Sequence, residues 1–119
     1  ADVNAYLREI AGIDVTAKDF RTWNGTVLAA VALAVDELGA RTGRSRAARK
    51  RAVPAAIREV ADYLGNTPTV ARASYVDPRV VDLFVDGTTI APALPGAAPN
   101  LDDRAVRDKI EAAVLDLLG

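Results

Sequence analysis

Apolar residues recur at intervals of three and four along most of the chain, the repeat expected of helices that bury one face. Tyr6, Leu7 and Ile10 share a face within residues 3–11, a stretch that Asp2 can cap and Gly12 can end. Thr16, with Asp19 three residues on, resembles a capping box in which Asp replaces the usual Glu. It opens a predicted helix running to about residue 38. Phe20, Val27, Val31 and Leu38, with alanines between them, make that helix apolar on most sides and predict a buried central element. Gly39 and Gly43 then punctuate a basic turn.

Val53, Ile57, Val60 and Leu64 carry the repeat into a third helix that Gly65 ends. Pro54 would cost about 3 kcal/mol deep inside a helix, so this one is expected to begin near Arg49 or to bend. Thr67-Pro68 and Asp77-Pro78 each pair an N-cap residue with Pro at the first helical position. They predict short helices over 68–75 and 78–86, the second stopped by Gly87. Residues 87–99 form a loop rich in Ala, Pro and Gly, in which 88–91 could extend without an evident partner strand. Asn100 is the expected cap of a last helix, with Val106, Ile110, Val114 and Leu117 on one face. Tyr6 and Tyr63 fall on apolar faces as core or boundary residues. The predicted fold is an all-α helical bundle in one domain.

Composition narrows the chemistry. Half of the 119 residues are hydrophobic and 26% are charged, which is globular composition and argues against disorder. There is no Cys and no His, so disulfides, thiolate metal sites and imidazole ligands and bases are excluded. The apolar run 27–35 is too short to span a membrane, which takes about 20 residues. Asp2, Arg8 and Glu9 do not suit a signal peptide, and the expectation is an intracellular soluble protein. The net charge of −1 hides an uneven distribution. Arg41, Arg44, Arg46, Arg49, Lys50 and Arg51 follow one another without an acid, and acids predominate after residue 76. Such a run either binds an anionic partner, nucleic acid first, or forms a solvated entry to a helix.

Three places hold candidate chemistry. Arg21 lies in the first turns of the long helix, where the dipole favours anions over cations. With Lys18 one turn away and free backbone N–H groups nearby, it suits a bound phosphate, or it simply pairs with a surface acid. Asn66, at the Gly65-Asn66-Thr67-Pro68 junction, is a turn residue or an amide donor. Tyr75 ends a short helix after Arg72, as a half-buried packing residue or a nucleophile.

Together these places are more specific than any alone. Lys18-Asp19-Phe20-Arg21-Thr22-Trp23, then Leu64-Gly65-Asn66-Thr67-Pro68, then Ser74-Tyr75 resembles the type IB DNA topoisomerases, in the compact bacterial and poxvirus-like branch. The resemblance runs from the first helix to at least Phe84, in the C-terminal helical part of the catalytic domain shared with tyrosine recombinases. It implies that Tyr75 attacks a backbone phosphate of double-stranded DNA, leaving a 3′-phosphotyrosyl link and a free 5′-hydroxyl. Swivelling and reversal then relax supercoils without ATP or metal. Arg21 and Asn66 are the implied transition-state donors, and Lys18 and Arg72 contact phosphates beside them. Arg44, Arg46, Arg49, Lys50 and Arg51 are the further candidate DNA contacts.

The chemistry agrees with those roles. Free tyrosine is only about 0.1% ionised at neutral pH, so a phenol nucleophile needs neighbouring cations. An arginine can give two parallel hydrogen bonds to phosphate, which lysine cannot. Many members of the wider superfamily carry His where Asn66 stands, and Asn donates without carrying charge. The family's second phosphate-binding Arg and its general-acid Lys have no counterpart here. The resemblance therefore implies a portion of the catalytic domain over 1–119, without its upstream catalytic and DNA-clamping parts and nearly inactive alone. A monomer associated with the nucleoid of the cytoplasm is expected, with no membrane and no small-molecule cofactor. A tyrosine site-specific recombinase shares the fold and nucleophile but typically has His where Lys18 stands. A non-catalytic helical DNA-binding module is the alternative of another class.

Overall fold

The computed structural model describes residues 17–39, 44–95 and 99–119, with side chains described from Phe20 onward. The predicted helix over 3–11 with Tyr6, the Thr16 cap, the Lys18 side chain and Arg41 lie outside the described residues. Among the described residues every regular element is helical. They are α1 (Ala17–Gly39), α2 (Arg46–Leu64), α3 (Pro68–Ser74), α4 (Pro78–Val85), a 3-10 turn (Ala91–Ala93) and α5 (Arg104–Leu118).

The long helix is central, as its apolar circumference predicts. α1 packs against α2, α4, α5 and the 3-10 turn, while α3 packs on α2. Val27, Ala29, Ala30, Leu33 and Ala34 are buried along α1. Val53, Ile57 and Val60 from α2, Val80 and Phe84 from α4, and Ile110 and Val114 from α5 join them in one core. Small residues on α1 let neighbouring helices approach closely, and Phe84, 1% exposed, fills the space left. Phe20 and Leu38, at the two ends of α1, are instead exposed, because no element among the described residues lies over the helix ends there.

The boundaries depart from expectation in two places. α2 begins at Arg46, two turns ahead of Pro54, because Ser45 caps it by accepting from the Ala48 N–H at 3.1 Å. Pro54 is exposed, so the carbonyl it leaves without a helical donor can be met by water. The last helix is capped by Asp103 rather than Asn100: the Asp103 carboxylate accepts from the N–H groups of Ala105 and Val106. Asn100 makes the turn before it, accepting from the Asp102 N–H at 3.0 Å. Residues 88–90 form no strand, and Ala91–Ala93 coils into a 3-10 turn. Tyr63, expected in the core or at its boundary, is instead 70% exposed at the rim of α2 over a groove.

Candidate active site

The turn after α2 brings the sequence strings together. Gly65 adopts φ 73°, the left-handed region that glycine enters without steric cost. This lets the Asn66 N–H reach back to the Ala61 carbonyl at 2.9 Å, closing a Schellman motif. Thr67 then caps α3 by accepting from the Val70 N–H at 3.2 Å. α3 is seven residues long and delivers Tyr75 to the flank of α1.

Arg21 joins the three segments. Its guanidinium stands 4.8 Å from the centroid of the Tyr75 ring, and its Nη2 donates to the Leu64 carbonyl at 3.1 Å, two residues before Asn66. A cation against the ring face is attracted by the quadrupole. Arg21 is exposed and Tyr75 half-buried, so both are reachable from solvent. The Asn66 Nδ2 is buried and has no hydrogen-bond partner among the described residues. A buried donor in this condition is costly, and a water, a ligand or a reacting group can supply the acceptor. Arg72 is exposed on the last turn of α3.

The basic run is divided by the fold. Arg44 donates to Asp36 at 2.7 Å and to Glu37, with its guanidinium 5.4 Å from the Phe84 ring centroid. Burial works against its charge, but the bonds to Asp36 and Glu37 more than offset this and raise its pKa. Arg49 pairs with Glu37 at 3.5 Å and reaches the Val85 carbonyl, and Arg46 pairs with Asp86. Lys50 and Arg51 are exposed, with no ion-pair partner among the described residues.

Three residues that sequence reasoning passed over shape the site. Thr22 Oγ1 donates to the Ser74 carbonyl at 3.3 Å, and Thr26 Oγ1 contacts the backbone on both sides of Val76. Gly25 is buried between them, and a Cβ there would overlap the Tyr75 carbonyl oxygen. A glycine in the interior of a long helix, costing about 0.5–1 kcal/mol relative to Ala, was the available signal. The backbone around Tyr75 is thus held on both sides.

On the opposite side of α1, Arg107 donates to Asn24 Oδ1 at 2.7 Å and to Glu111 at 3.1 Å. Burial pushes the Glu111 pKa up, partly offset by Arg107. The Trp23 indole N–H approaches the same carboxylate outside hydrogen-bond geometry. Asn24, Arg107 and Glu111 line a groove of about 380 Å³ together with Phe20, Leu28, Tyr63 and Leu101. The groove does not include Arg21, Asn66 or Tyr75. Among the described residues no three acids gather as a metal site, and no helix is long and apolar enough to cross a membrane.

A family model for the catalytic core of eukaryotic DNA topoisomerase I matches residues 1–82, which takes in Arg21, Asn66 and Tyr75. The chain is also similar to DNA topoisomerase 1B of Acanthamoeba polyphaga mimivirus, 32% identical over 83 residues. That match covers 70% of this chain but 24% of the viral protein, so the chain spans about a quarter of its relative's length. Both matches favour the topoisomerases over the recombinases. With an arginine set over a tyrosine and an unpaired amide at the adjoining turn, the chain belongs to the type IB DNA topoisomerase family.

Proposed function

We propose that this chain is the tyrosine-bearing helical part of a type IB topoisomerase catalytic domain, acting on double-stranded DNA by single-strand transesterification. The observation that carries the reading is the Arg21 guanidinium 4.8 Å from the Tyr75 ring, which puts a phosphate ligand beside a phenol. Tyr75 Oη attacks a backbone phosphorus as its proton leaves to solvent. The bond from phosphorus to the 5′-oxygen breaks, and that oxygen departs as a hydroxyl after gaining a proton. The phosphate remains as a 3′-phosphotyrosyl diester, and the 5′-hydroxyl reverses the step after the duplex swivels. Because one phosphodiester replaces another, no ATP is needed, and Arg21 and Asn66 supply the charge and hydrogen bonds that a metal would otherwise give the phosphate.

Arg21 has five N–H donors, and the single bond to Leu64 leaves others for the nonbridging oxygens. The Asn66 amide donates one more. Such donors act in the transition state, where each is worth about 10²–10³ in rate. Lys18, Arg72, Lys50 and Arg51 contact the DNA backbone. Arg44, Arg46 and Arg49 are further DNA contacts, but their ion pairs with Asp36, Glu37 and Asp86 give them a second, architectural role. The chain works as a monomer without a small-molecule cofactor, in the nucleoid. The general acid and a second phosphate-binding arginine come from an upstream part, and without the acid the isolated chain is slower by about 10²–10⁴.

The test is relaxation of supercoiled plasmid, without magnesium or ATP, by the full-length protein carrying this segment. Relaxation that is lost in Tyr75→Phe supports the reading. Equal relaxation by both removes Tyr75 as nucleophile. DNA binding with no relaxation by either favours the non-catalytic module.

A further inference from the structure

α1 touches the tyrosine-bearing segment at four successive points. Arg21 lies over the Tyr75 ring, and the Thr22 hydroxyl donates to the Ser74 carbonyl. Gly25 offers no side chain where Tyr75 packs: a Cβ there would overlap the Tyr75 carbonyl oxygen and come within 3.0 Å of the Tyr75 Cβ. The Thr26 hydroxyl donates to the Tyr75 carbonyl at 3.5 Å and accepts from the Asp77 N–H at 3.1 Å.

Thr26 is 3% exposed, and a threonine at this depth in a helix commonly bonds the carbonyl one turn back along its own helix. Here the hydroxyl instead uses both its donor and its acceptor capacity across the helix boundary. It meets two backbone groups that flank buried Val76, in the gap between α3 and α4. Tyr75 has φ −126° and ψ −3°, outside the regular helix, so local helical bonds alone do not fix its direction. The nucleophile and the arginine that holds its target phosphate are therefore referenced to one rigid helix.

We propose that Thr26 and Gly25 are positioning residues, setting the height and direction of Tyr75 relative to the phosphate held by Arg21. The inference rests on the assignment of Tyr75 as nucleophile. An attacking atom must sit within about 0.5 Å of its productive place, and a misplacement of about 1 Å costs about 10²-fold in rate.

The test is single-turnover formation of the covalent adduct by the full-length protein in excess over a labelled duplex. Rate constant, final amplitude and duplex Kd are read separately. Thr26→Val keeps the shape and removes the hydroxyl. It is expected to lower the rate constant by about 10–10²-fold, with amplitude and Kd essentially unchanged. Thr26→Ser restores the hydroxyl and is expected to recover most of the rate. Gly25→Ala, which must displace the Tyr75 carbonyl, is expected to lose at least as much rate at unchanged Kd.

Three results would overturn the proposal: a wild-type rate constant in Thr26→Val, a loss confined to amplitude as for a folding defect, or no recovery by Thr26→Ser. Tyr75→Phe separates this from failure of the underlying assignment. An adduct that survives Tyr75→Phe removes the nucleophile and the proposal together. An adduct lost in Tyr75→Phe but formed normally by Thr26→Val removes the positioning role alone.

Discussion

Replacing Asn66 with Ala should make the chain more stable while it disables the chemistry. The Asn66 Nδ2 is buried without a partner among the described residues, and such a group costs about 1–3 kcal/mol. Ala removes the orphaned donor and keeps the backbone bond from residue 66 to the Ala61 carbonyl. The backbone there imposes no strain, since positive φ among the described residues is confined to glycines. Some packing of the amide is lost with it, so the expected net gain is about 0.5–1.5 kcal/mol. Unfolding entropy is about 2.1 cal/mol/K per residue, or about 0.25 kcal/mol/K for this chain, so Tm should rise by about 2–6 °C. Adduct formation by the full-length variant should fall by about 10²–10³-fold, as for loss of one transition-state donor. Thermal unfolding followed by circular dichroism gives the first quantity, and single-turnover cleavage gives the second. A lowered Tm would refute the idea that the amide is held unpaired at a cost. An unchanged cleavage rate would refute its role as donor.

Three further outcomes follow from the same geometry. Arg21→Lys should slow single-turnover cleavage by about 10²–10³-fold, because lysine cannot place two parallel bonds on a phosphate while holding the Leu64 carbonyl; cleavage within threefold of wild type would count against it. For Glu111, burial raises the folded pKa above the unfolded value, so its stabilising contribution is present at low pH and is lost as pH rises through the folded pKa. The Tm of Glu111→Gln relative to wild type should therefore increase from pH 4 to pH 7, and a difference independent of pH would count against it. Replacing Lys50 and Arg51 with Ala should reduce the slope of log Kd against log salt for duplex binding by about 1.8, at about 0.9 per phosphate contact. An unchanged slope would place the DNA elsewhere.

The elements were legible in the sequence because helix signals are local. The three- and four-residue repeat, the two Pro-initiated starts and the glycine stops marked α1, α3 and α4 to within a residue or two. Boundaries failed where two local signals competed. Pro54 argued for a late start to α2, but Ser45 set an earlier one, and exposure made the proline tolerable. Asn100 and Asp103 could each cap α5, and the chain uses one for the turn and the other for the helix. Tyr63 fitted an apolar face by spacing alone, yet it is exposed, with nothing among the described residues packed over that rim.

The sequence by itself determined the class of fold, the family strings and the chemical types at the site, since residue identity and helical period are properties of the chain. The tertiary structure decided which of these groups meet. Arg21 reaches Leu64 and Tyr75 across 43 and 54 residues because α2 packs along α1 and the turn at Gly65 sets α3 on α2, so that only its end meets α1. It also decided which cations of the basic run carry an internal partner, because Asp36, Glu37 and Asp86 reach that run only once the helices pack. A glycine inside a long helix was a local hint at Gly25, but the grip of Gly25 and Thr26 on the tyrosine segment was not legible, since a missing Cβ and a hydroxyl acquire meaning only from the backbone brought against them.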